Sequence, residues 1–165
     1  MDELQNRISK MSADDFKELM EKAQTRKKFI DLLNTTAPDE NSVKWVREKC
    51  TFLKQRLANL TPNRKDLRDS WNTMFDVDLF IQMFRHSAVE EKDANSIVNI
   101  VFDRIQMLCA PSQDEAVAHA KSTILLEQNT SKKLAILLEI ANDIVNDIEK
   151  LVKNFSDGLE QNNLL

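Results

Sequence analysis

A chain of 165 residues with one Gly, three Pro and a formal net charge of −4 has the length of about one domain. It holds too few turn-forming residues for a sheet protein, and its 30% charged residues, mixed in sign, suit the solvated faces of helices. The longest apolar cluster is far short of the ~20 residues that cross a bilayer, and the acidic opening Met1-Asp2-Glu3 is unlike a secretion signal.

In chain order, the first predicted helix starts after Ser12 as N-cap. Met11 and Phe16 take the staple positions, and Asp14 and Asp15 sit at the positive helix end. Its apolar set is Phe16, Leu19, Met20, Ala23, Ile30 and Leu33, and it ends near Asn34, before the loop-like Thr35-Thr36-Ala37-Pro38-Asp39. The second helix runs from about Ser42 to Asn59 with Val43, Val46, Cys50, Leu53, Leu57 and Leu60 at helical spacing. Trp45 and Phe52 fall on its opposite side, with Lys49 between them and Arg56 one turn on. A central helix covered on both sides would show this pattern. So would a partner face, because exposed aromatics beside Arg are the composition of binding hot spots.

Thr61-Pro62 is read as the start of a short helix carrying Leu67, Trp71 and Met74 or Phe75 on one side. Asp76 restarts the chain as an N-cap. Val77, Leu79, Phe80, Ile81, Met83 and Phe84 then make a segment apolar nearly all round, expected to be deeply buried. From about Glu91 to Cys109, Ala94, Ile97, Val98, Val101, Ile105 and Leu108 share one face. Pro111 blocks continuation, and Ser112 with Glu115 spells a capping box for the next helix. The last helix is expected from about Ser131 to Phe155, with Lys132 and Lys133 opposing its dipole at the start and Gly158 as its stop. Residues 1–11 and 159–165 are expected to be flexible ends.

The corner Leu108-Cys109-Ala110-Pro111, followed by Asp114-Glu115, resembles a motif of the T-complex protein 11 family. Upstream, Leu60-Thr61-Pro62-Asn63, Leu67, Phe75-Asp76-Val77-Asp78-Leu79-Phe80-Ile81 and His86-Ser87-Ala88-Val89 follow the family's order and approximate spacing. The resemblance covers roughly residues 45–150. Gln113 stands where the family usually carries Arg, and Ser87 where it usually carries Gly. Family members generally run to several hundred residues, so the resemblance implies a partial or reduced domain. It also implies a non-catalytic protein with links to cyclic-AMP-type kinase signalling and, in animals, to sperm function.

The chemistry-bearing residues point the same way. His86 and His119 are the only histidines, and Glu115–His119 is the spacing of a helical surface pair as much as of a metal half-site. Cys50 and Cys109 lie in apolar patterns and read as buried free thiols. With Gly158 the lone glycine there is no phosphate-binding loop. No catalytic, cofactor or metal residue is therefore assigned. Residues 41–75 carry eight Lys/Arg against three Asp/Glu, a +5 segment in a chain of pI near 5.3. Arg64, Lys65 and Arg68 form a secondary basic patch there. The acidic pI argues against nucleic acid, and an acidic membrane surface is a lesser alternative.

The expectation is a single all-α domain, an irregular bundle of six to seven helices. It would act in the cytoplasm as a protein-interaction module. Trp45, Lys49, Phe52 and Arg56 would receive a partner protein or a second copy of the chain. The alternative is an effector exported by an intracellular microbe through a non-classical route, using the same helical domain on a host protein or acidic membrane.

Overall fold

The structure, a computed structural model, describes residues 12–161, with side chains as far as Phe155. Among these residues it is all-α, with no strand. The helices are α1 (Ala13–Leu33), α2 (Glu40–Asn59), α3 (Lys65–Met74), α4 (Val77–Arg85), α5 (Glu91–Leu108), α6 (Asp114–Leu126) and α7 (Thr130–Gln161). A 3-10 turn, Pro111–Gln113, joins α5 to α6.

Short polar side chains set most helix starts by accepting orphan backbone N–H groups. Ser12 accepts from Asp15 N–H at 3.1 Å, Asp39 from Ser42 N–H at 2.7 Å, Asp76 from Leu79 N–H at 3.0 Å, and Asn129 from Lys132 N–H at 2.9 Å. The staple assigned to Met11 lies outside the described residues. Asn129 answers the difficulty posed by Lys132 and Lys133, since its cap outweighs two cations near the positive helix end.

Two expected starts are corrected. The Thr61 hydroxyl donates to Ala58 O and accepts from Arg104, so it does not cap; Pro62 lies in a turn, and α3 begins only at Lys65. Ser112 makes no cap either. Ala110, extended as a residue before proline is, puts the turn's start at Pro111, so Ser112 already lies inside it. Gln113, third in the turn, reaches back instead, its side-chain oxygen accepting Ala110 N–H at 3.3 Å, and α6 itself starts without a side-chain cap. At the far end Gly158 does not stop α7, which runs on to Gln161. One glycine costs a helix about 1 kcal/mol, too little to end a long one by itself. Residues 159–161, expected to be loose, are thus helical; residues 1–11 and 162–165 lie outside the described part.

The helices close around α7, which packs against α1, α2, α5 and α6. Leu134, Leu137, Ala141 and Val145 of α7 join one continuous buried cluster with the α2 stripe, Trp71, Phe75, Phe80 and the α5 face. Lys22 meets Asp143 at 2.9 Å and Arg26 meets Glu139 at 3.1 Å, so α1 runs antiparallel to α7. Phe29 is the one fully buried residue of α1 and was not in its expected apolar set. Phe16, Leu19 and Met20, which were, are 41–45% exposed. Leu79, placed in a segment expected to be buried all round, is likewise exposed, because α4 buries only Val77, Phe80, Ile81 and Phe84.

The end of α4 explains a detail of the family comparison. Ala88 N–H bonds Met83 O at 2.8 Å and Ser87 N–H bonds Phe84 O at 3.1 Å, the paired bonds of a Schellman stop. That stop needs a left-handed residue, and Ser87 sits at φ 52°. Glycine takes that conformation without the Cβ clash a serine pays. Ser87→Gly is therefore expected to stabilise the protein by about 0.5–1 kcal/mol, read as a raised midpoint in urea unfolding. A fall in midpoint would mean that the Ser87 side chain supplies more than its backbone costs.

Candidate partner-binding site

The four residues singled out on α2 divide into an anchor, a packed ring, a lysine over that ring and an exposed ring. Arg56 is the anchor. Its guanidinium bonds Asn142 at 2.9 Å, Asn146, and Glu149 at 3.0 Å, tying α2 to three successive turns of α7. Only 14% of its side chain is exposed, so it is not free to meet a partner.

Trp45 is half-buried and packs against the core. Its ring meets Phe29 of α1 at 6.3 Å between centroids, and Lys28 and Lys49 place their ammonium groups 4.6 and 5.3 Å from the ring centre. The sequence placed Trp45 and Phe52 on one side of the helix; α1 crosses that side and covers the first ring only. Phe52 stays 57% exposed, one face backed by the Arg56 guanidinium at 5.4 Å.

Beside Phe52 a groove of about 250 Å³ opens between α1, α2 and α7. Phe29, Ala135 and Leu138 give it an apolar lining, with Lys22, Arg26, Lys49, Glu139 and Asp143 around them. Lys22 and Arg26 are spent on Asp143 and Glu139. Among the described residues, Lys28 and Lys49 beside Trp45 form no ion pair, and neither does Glu21 on the α1 wall of the groove.

The wider basic segment is neutralised in part within the fold: among the described residues Arg47, Arg56 and Arg64 meet carboxylates, and its other five cations form no ion pair. Arg47 pairs with Asp78, Lys54 donates to Asn72 O at 2.9 Å, and Arg64 forks onto Asp66 at 2.9 and 3.0 Å. The Arg64 guanidinium holds the Asp66 carboxyl down to about 2. Arg68 is half-buried, with no acceptor at its Nε, while Lys65 is exposed. Arg64, Lys65 and Arg68 thus do not make one open cationic surface.

Both thiols are free, but only Cys50 is buried as expected; Cys109, at the end of α5, is half-buried. Burial pushes Cys50 up to about 12. Cys109 is raised by burial and by Asp114, whose carboxylate accepts its S–H at 3.2 Å. Among the described residues no three His, Cys, Asp or Glu side chains converge as a metal set, and no helix is long and apolar enough to cross a membrane. Glu115 and His119 are both exposed.

The architecture defines an irregular all-helical bundle wrapped on its longest helix. The family model of T-complex protein 11 matches residues 1–157, and the chain belongs to that family. The match reaches well N-terminal of the sequence motifs that carried the resemblance. The chain is also 29% identical over 129 residues to U-box domain-containing protein 12 of Arabidopsis thaliana, which is 78% of this chain and 19% of that protein. It spans about a fifth of that relative's length. No solved structure matches it.

Two outcomes follow from this geometry. Arg56→Ala removes a charged donor from two amides and a carboxylate, and is expected to cost about 1–3 kcal/mol in urea unfolding; no change would mean the α2–α7 tie is idle. Cys50 stays protonated in the folded chain while its unfolded thiol ionises near 9. Above that pH the unfolded state binds fewer protons, so stability is lost as pH climbs from about 9 towards 12. Cys50→Ala should lose less stability than the parent between those limits, measured by urea midpoints at stepped pH.

Proposed function

We propose that the chain is a non-catalytic helical module that binds a partner protein at the Phe52 groove. The observation that carries this reading is an exposed phenylalanine at the mouth of an apolar groove, with Lys49 on its wall and Lys28 beyond it over Trp45, neither with a carboxylate of its own. An aromatic ring left more than half in water is an anchor to be desolvated by a partner, and central aromatics dominate binding energy. Lys28 and Lys49 select an acidic-apolar helix: carboxylates for the lysines, an apolar side chain for the groove. The T-complex protein 11 resemblance implies a setting in cyclic-AMP-linked kinase signalling, and the module reading supplies a physical role there, as a recruiting surface.

The test separates the two rings. Phe52→Ala with Lys49→Ala is expected to abolish capture of partners from a native extract, compared by mass spectrometry with the parent, while changing the urea midpoint little. Trp45→Ala is expected instead to destabilise by about 2 kcal/mol, since that ring is packed on Phe29. If the Phe52/Lys49 variant captures the same proteins as the parent, the groove is not the site. If capture returns only the chain itself, and sedimentation shows a dimer that the variant loses, the occupant is a second copy.

A further inference from the structure

Arg104 of α5 is a buried charge with no counter-charge. The residue is 4% exposed. Its Nη2 donates to Leu57 O at 3.1 Å and to Thr61 Oγ1 at 2.7 Å, at the C-terminal end of α2, where helix carbonyls favour a cation. Its guanidinium lies 5.8 Å from the Trp71 ring centre. These contacts use one nitrogen. Nε and Nη1 have no acceptor, and none of the ion pairs among the described residues includes Arg104. The neighbouring carboxylate, Asp103, is turned to Lys121 at 3.5 Å. Proteins pair or hydrogen-bond the charges they bury, because an uncompensated one is costly. An open valence on a buried guanidinium therefore asks for an anion.

The space for one is beside it. A groove of about 260 Å³ between α3 and α5 is lined by Arg104 and by Leu67, Trp71, Met74, Ile100 and Met107. Ser70 and Asp103 are its remaining polar neighbours. Met74 and Met107 stand at its mouth, 51% and 54% exposed, and unbranched thioethers repack readily around an apolar guest. The groove shares no lining residue with the Phe52 groove.

We propose that this groove binds a fatty-acid-type carboxylate, its acyl chain along Leu67, Trp71 and Ile100 and its head on Nε and Nη1 of Arg104, which are closed to solvent in this structure and are reached only as the lining moves. Met74 and Met107 part to admit it and close over the chain. A single guanidinium, with no second cation in the groove and Asp103 at its edge, suits a monoanion rather than a dianionic phosphate. The apolar walls require a tail, which excludes small hydrophilic acids. The site stands independently of the partner-binding reading.

The test is calorimetric titration of the intact chain with decanoate, decanol and decyl phosphate below their aggregation thresholds, with thermal melts alongside. Decanoate is expected to bind saturably at one site and to raise the melting temperature with concentration. Decanol and decyl phosphate are expected to bind at least tenfold more weakly. Arg104→Met, an apolar replacement of similar length, is expected to stay folded by circular dichroism and to weaken decanoate at least tenfold. Should that variant fail to fold, Ser70→Phe, a change at an exposed position that fills the groove, must weaken decanoate by the same margin. Absence of decanoate binding, equal binding of decanol or decyl phosphate, or binding that survives both Arg104→Met and Ser70→Phe would overturn the proposal.

Discussion

Everything in the bundle depends on burying the N-terminal two-thirds of α7. That helix offers Leu134, Leu137, Ala141, Val145 and Ile148 to the interior, and four helices must converge to cover them. No pair of helices could take so much apolar surface out of water, and that burial is the dominant favourable term in folding. The polar ties only fix register on top of it. Arg56 holds α2 to α7, the Lys22–Asp143 and Arg26–Glu139 pairs hold α1, and Lys133 reaches Asn95 of α5 at 2.6 Å. The scarcity of Gly and Pro fits this plan, because abrupt restarts at capping residues replace designed turns.

What could be read from the chain alone divides along that line. Helical periodicity found α2, α5 and α7, because their stripes match the faces that are buried, except at Leu151, Val152 and Phe155, which continue the α7 stripe but stay exposed. Asp76 was legible as a cap because a single side chain and its own backbone decide it. Ser112 was not, because its cap depended on the phase of a turn that Pro111 starts one residue early. Phe29 carried no signal of its own; it is buried because α1 crosses α2 at Trp45, which is tertiary information. For the same reason the pattern could not tell Trp45 from Phe52: both lie on one side of α2, and only the path of α1 makes one a packing ring and the other an exposed ring. Ser87 is the converse case. The family's usual glycine there was a backbone signal, and the left-handed stop it serves is present.

The charge reading needed the same correction. A +5 segment over residues 41–75 looks like an electrostatic surface when counted along the chain. In the fold, Arg47 and Arg56 reach carboxylates of α4 and α7, Arg64 pairs within its own turn, and Arg104 from outside the segment enters the interior beside it. Opposite charges within about 4 Å cancel one another's distant field, so a count along the chain overstates the field a partner meets. What survives among the described residues is scattered, Lys44 and Lys65 exposed and Lys28 and Lys49 around Trp45, rather than one continuous basic face.

Two buried cations show how far this accounting goes. Lys133 has no exposure at all, yet its ammonium finds Asn95, with Glu91 at 3.9 Å, so its charge is met inside the bundle. Arg104 is almost as deep and meets only neutral oxygens and a ring. If the fold alone set both positions, the cheaper solution at Arg104 would be an apolar side chain, because well-packed hydrophobic replacements of buried charges are often neutral or stabilising. The end of α2 explains why a cation is tolerated there. It does not explain why two of its buried nitrogens have no acceptor, and the proposed carboxylate would supply the partner that packing does not.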